Sequence, residues 1–254
     1  MPQPLSRTTT VLSQPRDRQP MLGVVVVDEL VDAIVSGRLA PGDALPPEGP
    51  LSEQFGVSRT VVRESVKRIE EKGLVTIARG RGTEVRPMTA WNTMDRVVLS
   101  ALIKHDETLG ILDELSVVRA QLESVMAAEA AQRRSDEQVA ELDRAMQRMR
   151  ESTADEDVFR AADVAFHETV MELSRNRLAG NIARTLMDHA LESSRYHGVD
   201  TPDAFAVTLR EHEAVHAAIS EGDPVRAQDA MNNHILEAWR RRRLPLPEAG
   251  KREG

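Results

Sequence analysis

Apolar positions recur along this chain with two different periods. Between Val24 and Val35 they return at helical spacing, at Val27, Leu30, Val31 and Ile34, and Gly37 supplies a stop before the turn-rich stretch SGRLAPGDALPPEGP. Leu51 to Phe55 predicts a short second helix broken by Gly56, and Ser58 is placed to cap a third helix that runs to Lys72 and closes at Gly73. Leu74 to Ile77 and Thr83 to Val85 then read as two short strands about the turn ARGRG, a hairpin wing. Two helices joined by a turn of about three residues have the helix-turn-helix spacing.

After Pro87 the period is helical throughout. A connector and a short amphipathic helix (MTAWNTMDRVVLSALIKHDET) lead into long helical stretches at about 109–134, 136–151, 155–174, 177–197, 203–221 and 224–243. The expected fold class is mainly α: an N-terminal winged helix-turn-helix (three helices plus a β-hairpin wing) followed by an all-α antiparallel helical bundle. The expected divisions are a disordered leader over 1–20, the winged domain over 21–87, a linker and connecting helix over 88–107, the helical domain over 108–243 and a tail over 244–254. The run Arg240 to Arg243 followed by LPLPEAGKREG reads as a frayed, solvated end.

Composition narrows the class. A chain of 254 residues that is 41% hydrophobic has enough apolar material for two ordinary cores, and 3% aromatic content favours helices over strands. The absence of cysteine excludes disulfides and thiolate metal sites and suits the reducing cytoplasm, the expected location. The apolar run Val24 to Val27 is far short of the roughly 20 residues that span a bilayer, and the first twenty residues lack a signal-peptide core, so no membrane partner is expected.

Charge changes the picture more. The formal net charge is -8, yet Val57 to Val85 gathers Arg59, Arg63, Lys67, Arg68, Lys72, Arg79 and Arg81 against Glu64, Glu70, Glu71 and Glu84. On the third helix Val62, Val66 and Ile69 share an inward face, while Arg59, Arg63 and Lys67 line its flank. Such a helix suits the major groove of double-stranded DNA: guanidinium groups can grip guanine O6 and N7, Ser58 and Thr60 can reach phosphate, and Arg79 and Arg81 at the wing tip can enter or flank the minor groove. The stretch LPPEGPLSEQFGVSRTVVRESVKRIEEKGLVTIARGRGTEV closely resembles the winged helix-turn-helix of the GntR family of bacterial transcription regulators. That resemblance implies that Arg59 and Arg63 read base edges, that Ser58 and Thr60 hold the backbone, and that the wing with Arg79 completes the site. One departure stands out: many members carry Arg after the Glu of the PxE motif, and this chain has Gly49 and Pro50 there.

In the bundle, the informative residues are polar ones in apolar places. Asp163 and His167, one turn apart, lie at the edge of the face Phe159, Ala162, Phe166, Val170 and Leu173; His212 borders Val215, Ala218 and Ile219; His234 borders Met231, Ile235 and Ala238. One carboxylate and three imidazoles suit zinc, nickel, manganese, iron or cobalt, and by periodicity His189 and His216 are equally placed. VFRAADVAFHETVMELSRN and REHEAVHAAISEGDPVRAQDAMNNHI resemble the FCD effector domain of the FadR-type branch, with its DxxFH, a later EH and a final HI. The resemblance implies a divalent metal ion, zinc, nickel or manganese foremost, on Asp163, His167, His212 and His234, and leaves His189 and His216 outside. Arg119 is the other anomaly. It sits about 40° from Leu115, inside the apolar stripe Leu115, Val118, Leu122, Val125 and Met126. A buried guanidinium needs an anion, either Glu123 one turn later or the carboxylate of a small ligand, which is what the FCD resemblance implies.

These features predict a DNA-binding transcriptional regulator, a repressor, that reads a palindromic operator as a homodimer and answers to a small carboxylate effector. The linker AWNTMDRVVLSA is similar to that of members answering to sugar acids such as galactonate or gluconate. Two other readings share the residues: a metal-sensing regulator, and a metal-dependent hydrolase or lyase fused to a DNA-binding domain. The chain offers no HExxH or comparable motif, and no enzyme is expected.

Overall fold

The computed structural model describes residues 20–78, 80, 82–193, 196 and 204–243. The expected leader before Pro20, the wing-tip residues Arg79 and Arg81, and the tail over 244–254 lie outside the described residues. The chain divides into two compact units, one ending at Val98 and the other beginning at Leu99.

In the first unit, α1 (Pro20–Val35) buries Val26, Val27, Leu30, Val31 and Ile34 and lies against α3 (Arg59–Glu71), which buries Val62, Ser65, Val66 and Ile69. Between them α2 (Glu48–Phe55) starts three residues earlier than the apolar pattern suggests. The reason is Pro50: within the first turn its missing N–H forfeits no intrahelical bond, so the helix begins through it. Gly56 ends α2 in the left-handed conformation at φ 62°, and the Ser58 hydroxyl accepts a bond from the Val61 N–H to open α3. Strands β1 (Val75–Ala78) and β2 (Gly82–Val85) pair antiparallel with Val75 opposite Val85, both buried. Gly73, at φ 78°, lets the chain leave α3 against the backbone at Ala90; a Cβ there would meet the Ala90 carbonyl oxygen at 2.2 Å. Helix α4 (Arg96–His105) carries the chain from the first unit into the second.

The second unit is the expected bundle. It comprises α5 (Gly110–Arg133), α6 (Asp136–Glu151), α7 (Glu156–Ser174), α8 (Arg177–Glu192), α9 (Ala204–Glu221) and α10 (Pro224–Arg242). The starts follow local chemistry. Ser135 and Gln138 form a reciprocal capping box on α6, Asp155 caps α7, and Asp223 with Pro224 opens α10. Helix α5 is the axle, packed against α7, α8, α9 and α10 around Met126, Phe166, Ile219 and Met231. No helix among the described residues is long and apolar enough to cross a membrane.

One expectation about α5 is corrected. Leu115 and Met126 are buried, but Val118 and Val125 are 46% and 45% exposed, beside Val117 at 51%. The inner line of α5 runs through Leu112, Leu115, Arg119, Glu123, Met126 and Ala130, and these valines project from the opposite side. A second correction concerns the C-terminal arginine run, which is solvated only in part: Arg240 and Arg243 are exposed, and Arg241 and Arg242 are half-buried. It forms the last turn of α10 and its cap, and helical twist sends each side chain to a different neighbour. Arg240 pairs with Glu237, Arg241 with Glu211, and Arg243 with Asp113, while Arg242 lies over the Tyr196 ring.

Candidate functional site

On the first unit, Ser58, Arg59, Thr60, Arg63 and Lys67 are all exposed along α3, as the basic stripe requires. The Arg63 guanidinium donates through Nε and Nη2 to both carboxylate oxygens of Glu48, each at 2.8 Å. Glu48 thus fixes the plane of the fork that the sequence singles out for base reading. Arg59 lies over Gly49, whose added Cβ would stand 3.5 Å from Arg59 Nη2. A side chain at 49 would therefore come into ordinary contact with the Arg59 guanidinium.

In the second unit α7, α9 and α10 bring Asp163, His167, His212 and His234 together, with one ligand-type atom of each within 4.8 Å of the others. The two remaining candidates go elsewhere. His189 Nδ1 lies 3.4 Å from the Ser100 hydroxyl, and His216 Nε2 lies 2.6 Å from Asp143.

The outer bonds of the three rings determine what the inner atoms can do. His167 Nδ1 is 2.6 Å from Glu123 Oε2, His234 Nδ1 is 3.0 Å from Glu211 Oε2, and His212 Nδ1 is 2.8 Å from the Thr208 carbonyl oxygen. Each partner only accepts, so each Nδ1 carries a proton, and in the neutral ring Nε2 is a bare lone pair. Burial favours that neutral form. It pushes the His212 pKa well below the ordinary histidine value, and it lowers that of His234 against the pull of Glu211. His167 Nε2 and His234 Nε2 face each other at 3.2 Å, and with both rings neutral and Nδ1 protonated these are two lone pairs. His212 Nε2 and Asp163 Oδ1 stand 3.3 Å apart, and neither has a hydrogen-bond partner among the described residues although both atoms are buried. Burial works to raise the Asp163 pKa, but His212, His167 and Arg242 outweigh it and hold the carboxyl well below its usual range. Lone pairs and a carboxylate oxygen converging without protons suit a cation.

Behind two of the rings stand matched supports. Arg119 donates from Nε to Glu123 Oε1 at 2.8 Å and from Nη1 to the Tyr196 hydroxyl at 3.0 Å. Arg241 grips both oxygens of Glu211 at 2.6 and 2.8 Å. Against burial, Arg119 and His167 hold the Glu123 pKa down to about 2, and His234 and Arg241 do the same for Glu211, also to about 2. The three guanidiniums of Arg119, Arg241 and Arg242 balance the carboxylates of Glu123, Asp163 and Glu211, so a divalent ion would leave the site positive. Arg119, Asp163, His167, Tyr196, His234 and Arg242 line a cavity of about 20 Å³, room for roughly one water molecule.

Residues 22–85 match the bacterial regulatory proteins of the gntR family, and residues 114–237 match the FCD domain. The galactonate operon transcriptional repressor of Escherichia coli (strain K12) is 30% identical over 218 residues, spanning 85% of this chain and 94% of that protein. The chain belongs to the GntR family. It is a DNA-binding transcriptional regulator of the FCD-containing, FadR-type branch, and not an enzyme. Another relative, the HTH-type transcriptional repressor NanR of Enterobacter sp. (strain 638), is 30% identical over 218 residues, 84% of this chain and 82% of its own. A solved structure of Lar, which controls expression of the Listeria monocytogenes agr system and mediates virulence, shares the fold. It has a TM-score of 0.55 at 17% identity and covers 90% of this chain and 98% of that one.

Sequence reasoning on this GntR regulator missed the outer supports. Glu123 was foreseeable as a partner for Arg119 but not for His167, and Glu211, Thr208, Tyr196 and Arg242 carried no spacing signal of their own. The one available hint was REHE, where Glu211 directly precedes His212.

Proposed function

We propose that this regulator is a repressor that binds a palindromic operator as a homodimer and is released from it by a small carboxylate bound beside a divalent ion in the helical unit. The observation that carries this reading is the cluster itself. Three imidazoles have their Nδ1 protons committed outward, so three Nε2 lone pairs and Asp163 Oδ1 face one another. Asp163, His167, His212 and His234 would hold the ion, which when bound supplies a hard positive charge able to take oxygen donors. Arg119 lines the same cavity and offers a guanidinium to an anion. Sugar acids are the first class to test, given the galactonate operon repressor among the relatives.

Val118 and Val125, two turns apart on one side of α5 and both exposed, mark the face proposed for pairing with a second copy, since exposed valines on a central helix leave apolar area uncovered. Val118→Asp combined with Val125→Asp is expected to weaken dimerisation by about tenfold or more, roughly 1.4 kcal/mol. A double variant that sediments as the wild-type dimer at micromolar concentration would remove α5 from the interface.

For DNA, Arg59, Arg63 and Lys67 with Ser58 and Thr60 form the proposed reading face, completed by Arg79 and Arg81 of the wing. Duplexes selected from a random library by the wild-type protein supply the operator. Arg63→Ala is expected to lose discrimination of that duplex against random DNA by roughly tenfold or more at fixed salt. D-galactonate or D-gluconate is expected to release the wild type, and chelation to abolish that release. The cavity of about 20 Å³ favours one other reading, a metal-sensing regulator, because it admits an ion more readily than an acid. Chelation alone would then change operator affinity, with sugar acids having no effect.

A further inference from the structure

We propose that Arg242 receives the effector carboxylate, and that its seat on Tyr196 is the closed position of the cavity mouth. This inference rests on the carboxylate reading above.

The three cations of the site are engaged to different degrees. Arg119 is bonded to Glu123 and Tyr196, and Arg241 holds Glu211 by two bonds. Arg242 also lines the cavity, but no carboxylate lies at ion-pair distance from it among the described residues; its contact is the Tyr196 ring, 5.6 Å from centroid to guanidinium carbon. A cation over an aromatic face is held more weakly than one in a bidentate bond to a carboxylate, so an incoming carboxylate can take Arg242 from the ring.

The cavity is also small. About 20 Å³ accommodates one water-sized group, and a carboxylic acid of several carbons needs far more. The mouth must therefore give somewhere. The helices behind the cluster are packed and bonded, and Arg241 and Arg243 on either side of Arg242 are held by Glu211 and Asp113, so it is the Arg242 side chain alone that can swing away from its ring contact. Beneath it the stack is anchored: Tyr196 lies parallel to Trp239 at 5.4 Å with 7° between the planes, and Trp239 Nε1 donates to Asp113 at 2.7 Å. Moving Arg242 off this stack opens the cavity and leaves its floor intact. The Tyr196 hydroxyl, which accepts from Arg119, keeps its own proton to donate to the ligand.

The test uses zinc-loaded full-length protein titrated calorimetrically with D-galactonate and D-gluconate, alongside Arg242→Ala, Arg242→Lys and, as a control on the same turn, Arg240→Ala. Arg242→Ala is expected to weaken binding of whichever acid the wild type takes by about tenfold or more. Zinc content and melting temperature should be unchanged, with Arg242→Lys partly restoring affinity and Arg240→Ala behaving as wild type. An Arg242→Ala protein that binds the acid as well as wild type overturns the role of Arg242 and leaves the carboxylate reading standing. Loss of zinc in Arg242→Ala overturns it too, by placing Arg242 in the support of the ion. A wild type that holds zinc and binds neither acid overturns both this inference and the reading beneath it.

Discussion

Chelation is expected to lower the melting temperature of the helical unit by about 8–16 °C, with recovery when zinc is returned. By linkage, an ion present at ~1,000 times its dissociation constant stabilises the folded state by about 4 kcal/mol. In a chain of this size each kcal/mol moves the midpoint by roughly 2–4 °C. The structural reason is the pair of Nε2 atoms of His167 and His234 at 3.2 Å, together with the unpartnered His212 Nε2 and Asp163 Oδ1. Without a cation these lone pairs repel in a buried setting, and with one they are all satisfied. His212→Ala should reproduce the loss of metal by elemental analysis. A midpoint indifferent to both chelator and zinc would show that the cluster holds no ion.

Replacing Glu123 is expected to be the most damaging single change in the bundle. Its side chain is 1% exposed, with Arg119 on one oxygen and His167 on the other. Glu123→Ala strands a buried guanidinium, which costs about 3–5 kcal/mol. It also frees the His167 ring to change tautomer, which should weaken metal affinity by about 10- to 100-fold. Urea unfolding and a zinc titration measure the two losses separately. The double change Arg119→Met with Glu123→Leu distinguishes them further: stability should return, because neither charge of the pair is left buried alone, and metal affinity should not. Stability within ~1 kcal/mol of wild type for Glu123→Ala would contradict the ion-pair argument.

Much of this architecture was legible because its boundaries are local chemistry. Ser58, Ser135 and Asp223 cap, Gly56 and Gly73 stop, and those signals do not depend on what packs later. Val118 and Val125 show the limit. An apolar residue at helical spacing reports that something covers it, and a partner surface leaves the same mark on a sequence as a core. The arginine run fails for a related reason: four identical letters look like one solvated feature, yet 100° of twist per residue gives Arg241 a glutamate and Arg242 a ring. For the cluster, spacing and resemblance singled out the inner residues. The outer ones were hidden because Glu123 reaches His167 across 44 residues and Glu211 reaches His234 across 23. No periodicity connects such pairs.

The bond from His212 to the Thr208 carbonyl has an evolutionary consequence. Two imidazoles take their orientation from glutamate side chains, which a single codon change can remove or exchange. The third takes it from the main chain of its own helix, so any residue at 208 that keeps α9 wound leaves the bond in place. Drift can retune this site through Glu123 and Glu211 while His212 remains a fixed point. Divergent ion preference among descendants of this chain should therefore be written at those two glutamates and the residues that hold them.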